Sequence, residues 1–297
     1  MSSMNGAMTV AASSTRAADL VTLTKPRVNL LVVASTLAGY YMAAGDGGTP
    51  ATLISAVVGT ALVSGGAAAL NQIAERDTDG LMRRTQHRPM PSGRLQTGEA
   101  RTFALALVAA GLVELALFAN LVAAAVAGVT VVFYALIYTP LKRRTSFATV
   151  VGAVPGALPP MIGWAAARGT LDPAAWALFA VQFLWQLPHF LAIAWIYRDD
   201  YARAGFPMLP VIEPDGRSTA RQAVAYAAAL VPASLATTAL GVTGTTYFAT
   251  AAALGVLFLG ITMWFGWRRT GAAARTLFVA SILYLPVLWI LMIADRL

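Results

Sequence analysis

The chain alternates long apolar runs with short polar connections. Runs of this length can cross a hydrocarbon core about 30 Å thick, which takes roughly 20 helical residues. Nine such runs cover residues 28–45, 51–71, 101–118, 120–138, 148–167, 174–196, 221–241, 246–266 and 275–294. A helix satisfies its own backbone hydrogen bonds in lipid, and no strand-like alternation interrupts the runs. The pattern predicts an all-α polytopic membrane protein, a bundle of nine transmembrane helices.

The positive charges predict the orientation of this bundle. Of the 21 Lys and Arg residues, 19 lie in the amino-terminal segment or after even-numbered runs, and the other side holds Arg168 and Arg296. Lys and Arg concentrate in cytoplasmic loops. We therefore predict a multi-pass protein of the cell (inner) membrane, with its amino terminus and the even-numbered loops in the cytoplasm.

Composition narrows the class further. The chain is 58% hydrophobic and 11% charged, whereas soluble domains carry about 25% charged residues. Its net charge of +8 is spread between apolar runs, which predicts lipid anchoring and no nucleic-acid partner. The absence of cysteine excludes disulfides, thiolate catalysis and iron–sulfur clusters. Residues 1–22 lack a signal-peptide pattern and are predicted to be a flexible cytoplasmic tail, with a weak transit peptide as the alternative. Residues 23–297 are predicted to be one transmembrane domain.

The acidic residues concentrate in two cytoplasmic loops, after the second and the sixth run. Because four runs separate these loops, the pattern suggests a four-helix unit used twice, over about 23–145 and 146–266, with a ninth helix added. Two acidic loops at one end of a bundle would converge over a central cavity.

The first of these loops carries the main candidate site. Asn71, Glu75 and Asp79 are spaced four residues apart, so a helix places them on one face, with Asp77 between them. Carboxylates beside clustered arginines suit a Mg²⁺-bound polyphosphate, since carboxylates hold the metal and guanidinium groups hold phosphate oxygens. The alternative is a loop whose acids are neutralised by arginines.

The second loop contains Asp199 and Asp200. These two residues are further candidates for metal binding, and the alternative is that they are solvated acids. Basic residues near both loops are candidates for binding phosphate, with service as topology anchors as the alternative. They are Lys25, Arg27, Arg84, Arg88, Lys142 and Arg203.

Two polar residues lie inside apolar runs, where polar groups face a cavity or a partner. His189 is part of the sequence Trp185–Phe190 in the sixth run, as a ligand-binding residue or as a helix-packing hydrogen bond. Glu114 lies in the third run, where it lines the cavity or pairs with a polar group, and the sequence suggests no specific role for it.

Several motifs resemble the UbiA-type intramembrane prenyltransferases, and within them the haem-directed branch. The superfamily features are the acidic stretch at 71–79, the RTxxRP pattern at 84–89 and Ser92-Gly93. The haem-directed features are LTKPRVNLL at 23–31, YTPLKRRT at 138–145, WQLPHF at 185–190 and DDYARAGFPMLPV at 199–211. The motifs extend from residue 23 to residue 211. Glu75 stands where many members have Asp, and Ala204 replaces the second acid of the second motif.

The resemblance implies a Mg²⁺-dependent enzyme that moves a farnesyl group from farnesyl diphosphate to a vinyl group of haem b, giving haem O. It implies Mg²⁺ ligands at Asn71, Glu75, Asp79 and Asp200, with weaker support for Asp77 and Asp199. It implies catalytic charge stabilisation by Arg84 and Arg88, and diphosphate binding by Lys25, Arg27, Lys142 and Arg203. By the same resemblance, His189 contacts haem iron and a haem A synthase is a partner. The alternatives are prenylation of an aromatic acid in quinone biosynthesis and, in a different class, a membrane transporter.

Overall fold

The computed structural model describes residues 15–45 and 48–297, and helices form its regular structure. The helices are α1 Arg16–Leu23, α2 Pro26–Ala44, α3 Pro50–Ala74, α4 Arg76–Leu81, α5 Thr97–Phe118, α6 Leu121–Leu141, α7 Ala148–Ala157, α8 Pro159–Arg168, α9 Pro173–Ile196, α10 Arg198–Arg203, α11 Leu209–Ile212, α12 Arg217–Ala239, α13 Thr245–Arg268 and α14 Gly271–Ala294. Within these described ranges, extended backbone pairs in one isolated bridge, between Thr243 and Arg296. The predicted all-α class is confirmed.

Eight helical stretches among the described residues are long and apolar enough to cross a membrane. They are Pro50–Ala74, Thr97–Phe118, Leu121–Leu141, Ala148–Arg168, Pro173–Ile196, Arg217–Ala239, Thr245–Arg268 and Gly271–Ala294. The other predicted run corresponds to the 19-residue helix α2, in which Arg27 and Asn29 lower the mean hydropathy. The polytopic helical fold is confirmed, while the count of nine spans and the cytoplasmic amino terminus stay predictions.

Helix packing follows the arrangement expected in lipid. Large apolar side chains such as Leu117, Leu121 and Trp267 are exposed on the outside of the bundle. Helices α2 and α8 approach so closely that a Cβ atom added at Gly163 would lie 1.9 Å from the carbonyl oxygen of Thr36. Small residues permit such close backbone approach between membrane helices.

The two exceptions to the charge asymmetry have a structural role at the opposite end from the acidic loops. Arg168 Nε donates to the carbonyl oxygen of Ala43 at 3.0 Å, and Arg296 donates to that of Tyr41. Both carbonyls belong to the last turn of α2, where backbone oxygens lack intrahelical partners and carry partial negative charge. These arginines therefore cap a helix.

The predicted tail over residues 1–22 is helical in its described part, because Arg16–Leu23 form α1. Thr15 Oγ1 accepts from the amide of Ala18 at 3.3 Å, which caps the helix. Arg94 Nε lies 3.0 Å from both carboxylate oxygens of Asp19 and ties α1 to the first acidic loop. Residues 1–14 lie outside the described ranges.

Two further elements differ from the prediction. The run at 148–167 is broken at Leu158 into α7 and α8, because Pro159 and Pro160 follow. Glu114 lies four residues before the end of α5, partly exposed, and not at the middle of the span. The proposed four-helix repeat stays a prediction.

Candidate active site

Two loops meet at one end of the bundle. The first follows α3 and the second follows α9. An apolar cluster joins them, in which Met82 of the first loop packs with Tyr201, Phe206 and Met208 of the second. The backbone amide of Arg84 also donates to Asp200 Oδ2 at 3.4 Å. The structure thus brings together the two acidic loops that the sequence separates by four spans.

The three evenly spaced polar residues of the first loop are all buried. Helix α3 ends at Ala74 and α4 begins at Arg76, yet Asn71, Glu75 and Asp79 keep a common direction across the junction. Their exposed fractions are 3%, 2% and 1%. The side chain of Asp77 is 80% exposed and pairs with Arg76 at 3.0 Å, so it points away from the other three.

Each buried acid has a cationic partner among the residues predicted to bind phosphate. Lys142 Nζ lies 3.1 and 3.0 Å from the two oxygens of Glu75, Arg88 lies 2.7 Å from Asp79 Oδ2, and Arg203 pairs with Asp200. Unpaired buried charge is costly, so each of these ion pairs offsets part of the cost of burying a carboxylate.

The pKa of Glu75 reflects two opposing effects, burial and nearby positive charge. Burial by itself would raise the pKa of this carboxyl, because it disfavours the charged form. The charge and hydrogen bonds of the Lys142 ammonium, together with the charge of Lys25 and a hydrogen bond with Asn71, more than offset that effect, and the net result is a pKa below the ordinary value. Glu75 therefore stays a carboxylate, the form that binds a divalent cation.

Lys25 reaches the site from the loop before α2. Its Nζ donates to Asn71 Oδ1 at 2.9 Å and lies 3.4 Å from the hydroxyl of Tyr134. Burial, followed by repulsion from Arg88, lowers the pKa of Lys25 to about 7. Its backbone is left-handed, with φ 50° and ψ 63°, a conformation that costs about 1–3 kcal/mol for a residue with a side chain. The surrounding contacts hold this strained backbone in place.

A π-helical segment of α6, Val132–Tyr138, and the Thr139 that follows it complete the site. The motif at 138–145 includes Tyr138 and Thr139, but the sequence assigned no role to them or to Tyr134. Thr139 Oγ1 accepts from Asn71 Nδ2 at 3.1 Å and donates to the carbonyl oxygen of Tyr134 at 2.7 Å. Tyr134 and Tyr138 stack with ring centroids 5.6 Å apart. Tyr134, Tyr138 and Lys142 repeat the four-residue spacing of the first acidic loop. That spacing is the sequence feature that could have identified Tyr134 and Tyr138 as neighbours of the site.

Other predicted residues take a smaller part. The guanidinium of Arg84 lies 5.1 Å from the ring centroid of Tyr197, so it is stacked on that ring. Asp199 is 89% exposed in its side chain. Arg27 is exposed, and in the described part of the chain no ion pair joins it to an acid. The structure does not bring Arg27 or Asp199 into the buried cluster.

The oxygen atoms of the buried acids fit a magnesium ion whose remaining ligands come from the substrate. Asp79 Oδ1 is buried and lacks a hydrogen-bond partner, which leaves a carboxylate oxygen open for a cation. Within the described residues no three acidic or histidine side chains form a ready metal cluster, and the buried acids are paired with cations. Mg²⁺ commonly takes one or two carboxylates together with phosphate oxygens. A metal here would require the paired cations to move onto the phosphates.

His189 lies apart from the acidic loops, between α9 and α14. Its ring stacks with Trp185 at 5.3 Å and with Phe278 at 5.1 Å between centroids. Ser281 Oγ donates to the carbonyl oxygen of Phe278 at 2.6 Å, so its proton is already used. His189 Nδ1 lies 2.7 Å from the same Oγ, and when Ser281 donates to Phe278 this contact places the imidazole proton on Nδ1. This tautomer leaves a lone pair on Nε2, the form in which imidazole ligates metals.

Comparison with known proteins agrees with this fold. Residues 32–288 match the UbiA prenyltransferase family. The chain belongs to that family and is a prenyltransferase.

Among its relatives, the chain is 47% identical over 287 residues to the protoheme IX farnesyltransferase of Solibacter usitatus (strain Ellin6076), covering 94% of this chain and 98% of that protein. It is 43% identical over 288 residues to the protoheme IX farnesyltransferase of Koribacter versatilis (strain Ellin345), covering 94% and 93%.

Solved structures share the architecture at lower sequence identity. A digeranylgeranylglyceryl phosphate synthase superposes with a TM-score of 0.79 at 17% identity, covering 93% of this chain and 97% of that one. A UbiA homologue from Archaeoglobus fulgidus, bound to GPP and Mg²⁺, gives a TM-score of 0.66 at 15% identity, covering 92% and 99%. These likenesses establish the fold.

Proposed function

We propose that this chain transfers a farnesyl group from farnesyl diphosphate to a vinyl group of haem b, releasing diphosphate and giving haem O. The observation that carries the proposal is the buried set of acid–cation pairs where two loops close one end of an apolar bundle. Nearly full-length similarity to proteins named protoheme IX farnesyltransferase supports the choice of substrates. An aromatic acid as acceptor finds no specific support among the described contacts.

Asn71, Glu75, Asp79 and Asp200 are the residues we propose as Mg²⁺ ligands. When bound, the ion would neutralise the diphosphate and make it a better leaving group. Lys142, Arg88 and Arg203 would exchange their carboxylate partners for phosphate oxygens as the substrate enters. Lys25, with Arg27 and Arg84 nearer the surface, would add positive charge around the departing group.

The reaction begins with cleavage of the bond between C1 of the farnesyl chain and oxygen, and the electron pair leaves on diphosphate. The π electrons of the haem vinyl group attack C1 of the allylic cation, which moves the positive charge onto the vinyl carbon next to the ring. Water adds at that carbon and loses a proton, giving the hydroxyethylfarnesyl side chain. Exclusion of water before the attack protects the first cation.

We propose His189 as the contact to haem iron, through its Nε2 lone pair. The hydrogen bond to Ser281 holds the required tautomer, and the flanking Trp185 and Phe278 rings fix the plane of the imidazole. Imidazole is a common axial ligand of haem. A flat macrocycle approaching from the bilayer would meet the partly exposed ring of His189 between α9 and α14.

One incubation tests the assignment. Purified protein is mixed with Mg²⁺, farnesyl diphosphate and either haem b or 4-hydroxybenzoate, and products are identified by mass spectrometry. We expect a haem product heavier by a farnesyl group plus a hydroxyl group, and its loss when the metal is chelated. Prenylated 4-hydroxybenzoate instead would show that the acceptor is an aromatic acid, as in quinone biosynthesis. The absence of product with either acceptor would favour the alternative that the chain is a membrane transporter.

We place the reaction at the cytoplasmic side of the cell membrane. A haem A synthase that takes up the product stays a prediction from resemblance.

A further inference from the structure

A surface groove lies behind the first acidic loop, outside the buried site. Its volume is about 420 Å³, and it is formed by the end of α3, the start of α4, the first turns of α5 and the π-helical segment of α6. The side chain of Asp77, which the acid cluster excludes, is part of its lining. We define the head-group groove by Arg76, Thr97, Arg101, Leu70, Ile73 and Leu136.

One side of the head-group groove is polar and cationic. Arg76 NH1 lies 3.5 Å from Thr97 Oγ1, and Arg101 follows Thr97 by one helical turn on α5. Asp77 offsets part of the Arg76 charge, through a contact of 3.0 Å. Arg101 is exposed and has no ion-pair partner among the described residues. The groove therefore keeps a net positive charge and a hydroxyl group.

The other side is apolar and opens toward the bilayer. Leu70 and Ile73 are partly buried in the last turns of α3, and Leu136 of α6 is 69% exposed. Leu136 lies within a span, so its exposed surface faces lipid. Arg143 approaches the same corner, since its guanidinium donates to the carbonyl oxygen of Ala74 at 3.0 Å.

We propose that the head-group groove binds an anionic phospholipid, with the phosphate between Arg76 and Arg101 and an acyl chain along Leu136. Charge complementarity selects an anionic head group, and the apolar wall at the edge of the span selects a lipid over a free anion. This site is independent of the proposed catalytic function, because none of its lining residues belongs to the buried acid–cation pairs.

The test compares lipid retention by native mass spectrometry of protein in detergent with phosphatidylglycerol or phosphatidylcholine. We expect preferential retention of phosphatidylglycerol, weakened about fivefold by Arg101→Gln, since a basic residue near a membrane surface contributes about 1 kcal/mol to anionic lipid binding. Arg101→Lys should keep most of the binding. Arg275→Gln is the matched control, because it removes an exposed arginine from the first turns of α14 at the same end of the bundle.

Equal loss with Arg275→Gln would indicate a general surface effect and overturn the site. Equal retention of phosphatidylglycerol and phosphatidylcholine would also overturn the site. Competition by millimolar inorganic phosphate would identify a free-anion site and also contradict the proposal. The readout needs no catalysis, so a failed haem assay leaves it unaffected. We expect all three arginine variants to keep wild-type farnesyltransfer when that assay succeeds.

Discussion

At the residue scale, burial and pairing separate acids that look equivalent in the sequence. Asp77 and Asp79 are two positions apart, yet one side chain is 80% exposed and the other 1%. Asp79 alone of the pair keeps a buried oxygen without a hydrogen-bond partner. The difference in exposure therefore predicts that a substitution at Asp79 lowers activity more than one at Asp77.

We predict that Asp79→Asn lowers farnesyltransfer by more than about 100-fold, since it removes a proposed metal ligand and even outer-shell groups at metal sites contribute about 10- to 100-fold. Asp77→Asn is the matched control, in the same loop, and should stay within about twofold of wild type. Product formation is measured at saturating Mg²⁺, with size-exclusion profiles as the check on folding. Full activity of Asp79→Asn would refute its role as a ligand.

A second residue-scale prediction concerns the two histidines. His189→Ala should weaken haem b binding by about tenfold or more, equivalent to about 1.4 kcal/mol, and should shift the haem absorbance that reports axial ligation. His87→Ala changes an exposed residue of the first acidic loop and should leave both unchanged. Unaltered spectra and affinity in His189→Ala would remove the proposed iron contact.

At the scale of elements, the π-helical segment determines how α6 faces the first acidic loop. A π-helical turn adds a residue to the repeat and is frequently found at functional sites. Here Thr139 contributes its hydroxyl both to the Asn71 amide and to the Tyr134 carbonyl. Thr139, which directly follows the π-helical segment, thereby links the end of α3 to the backbone of α6.

We predict that Thr139→Val lowers activity about 10- to 100-fold, as expected when an outer partner of a metal ligand is lost, and that it raises the Mg²⁺ concentration needed for half-maximal rate. Thr130→Val is the control, because Thr130 lies on the same helix and bonds to its own helix at Val126. A lower rate with an unchanged Mg²⁺ dependence would show that Thr139 does not act through Asn71.

At the scale of the whole molecule, the helices separate two chemically different ends. One end gathers the acids with their cations, and at the other end arginines cap α2. The charge asymmetry in the sequence predicts that the first end faces the cytoplasm.

Because the chain contains no cysteine, single introduced cysteines report this orientation without background. In right-side-out cell preparations, Thr170→Cys should react with a membrane-impermeant maleimide, while Arg83→Cys should react after the membrane is opened. Both positions are exposed. The opposite labelling pattern would invert the predicted topology.

The sequence by itself determined the membrane class, the family motifs and the common face of Asn71, Glu75 and Asp79, because these depend on local hydropathy and on helical periodicity. It also identified the bases that later prove to be their partners. It did not reveal helix α1 at Arg16–Leu23 or the π-helical segment, which depend on packing against neighbouring helices. The break at Leu158 has a local cause, since Pro159 and Pro160 follow it, although the hydropathy pattern showed one continuous run.

The tertiary structure decided which groups meet. Lys142 and Glu75 are 67 residues apart, Arg84 and Asp200 are 116 apart, and His189 and Ser281 are 92 apart. No local pattern encodes such pairings, because they arise when separate helices bury their ends together. Burial then selects the partners, since each ionised side chain removed from water requires an opposite charge or a hydrogen bond.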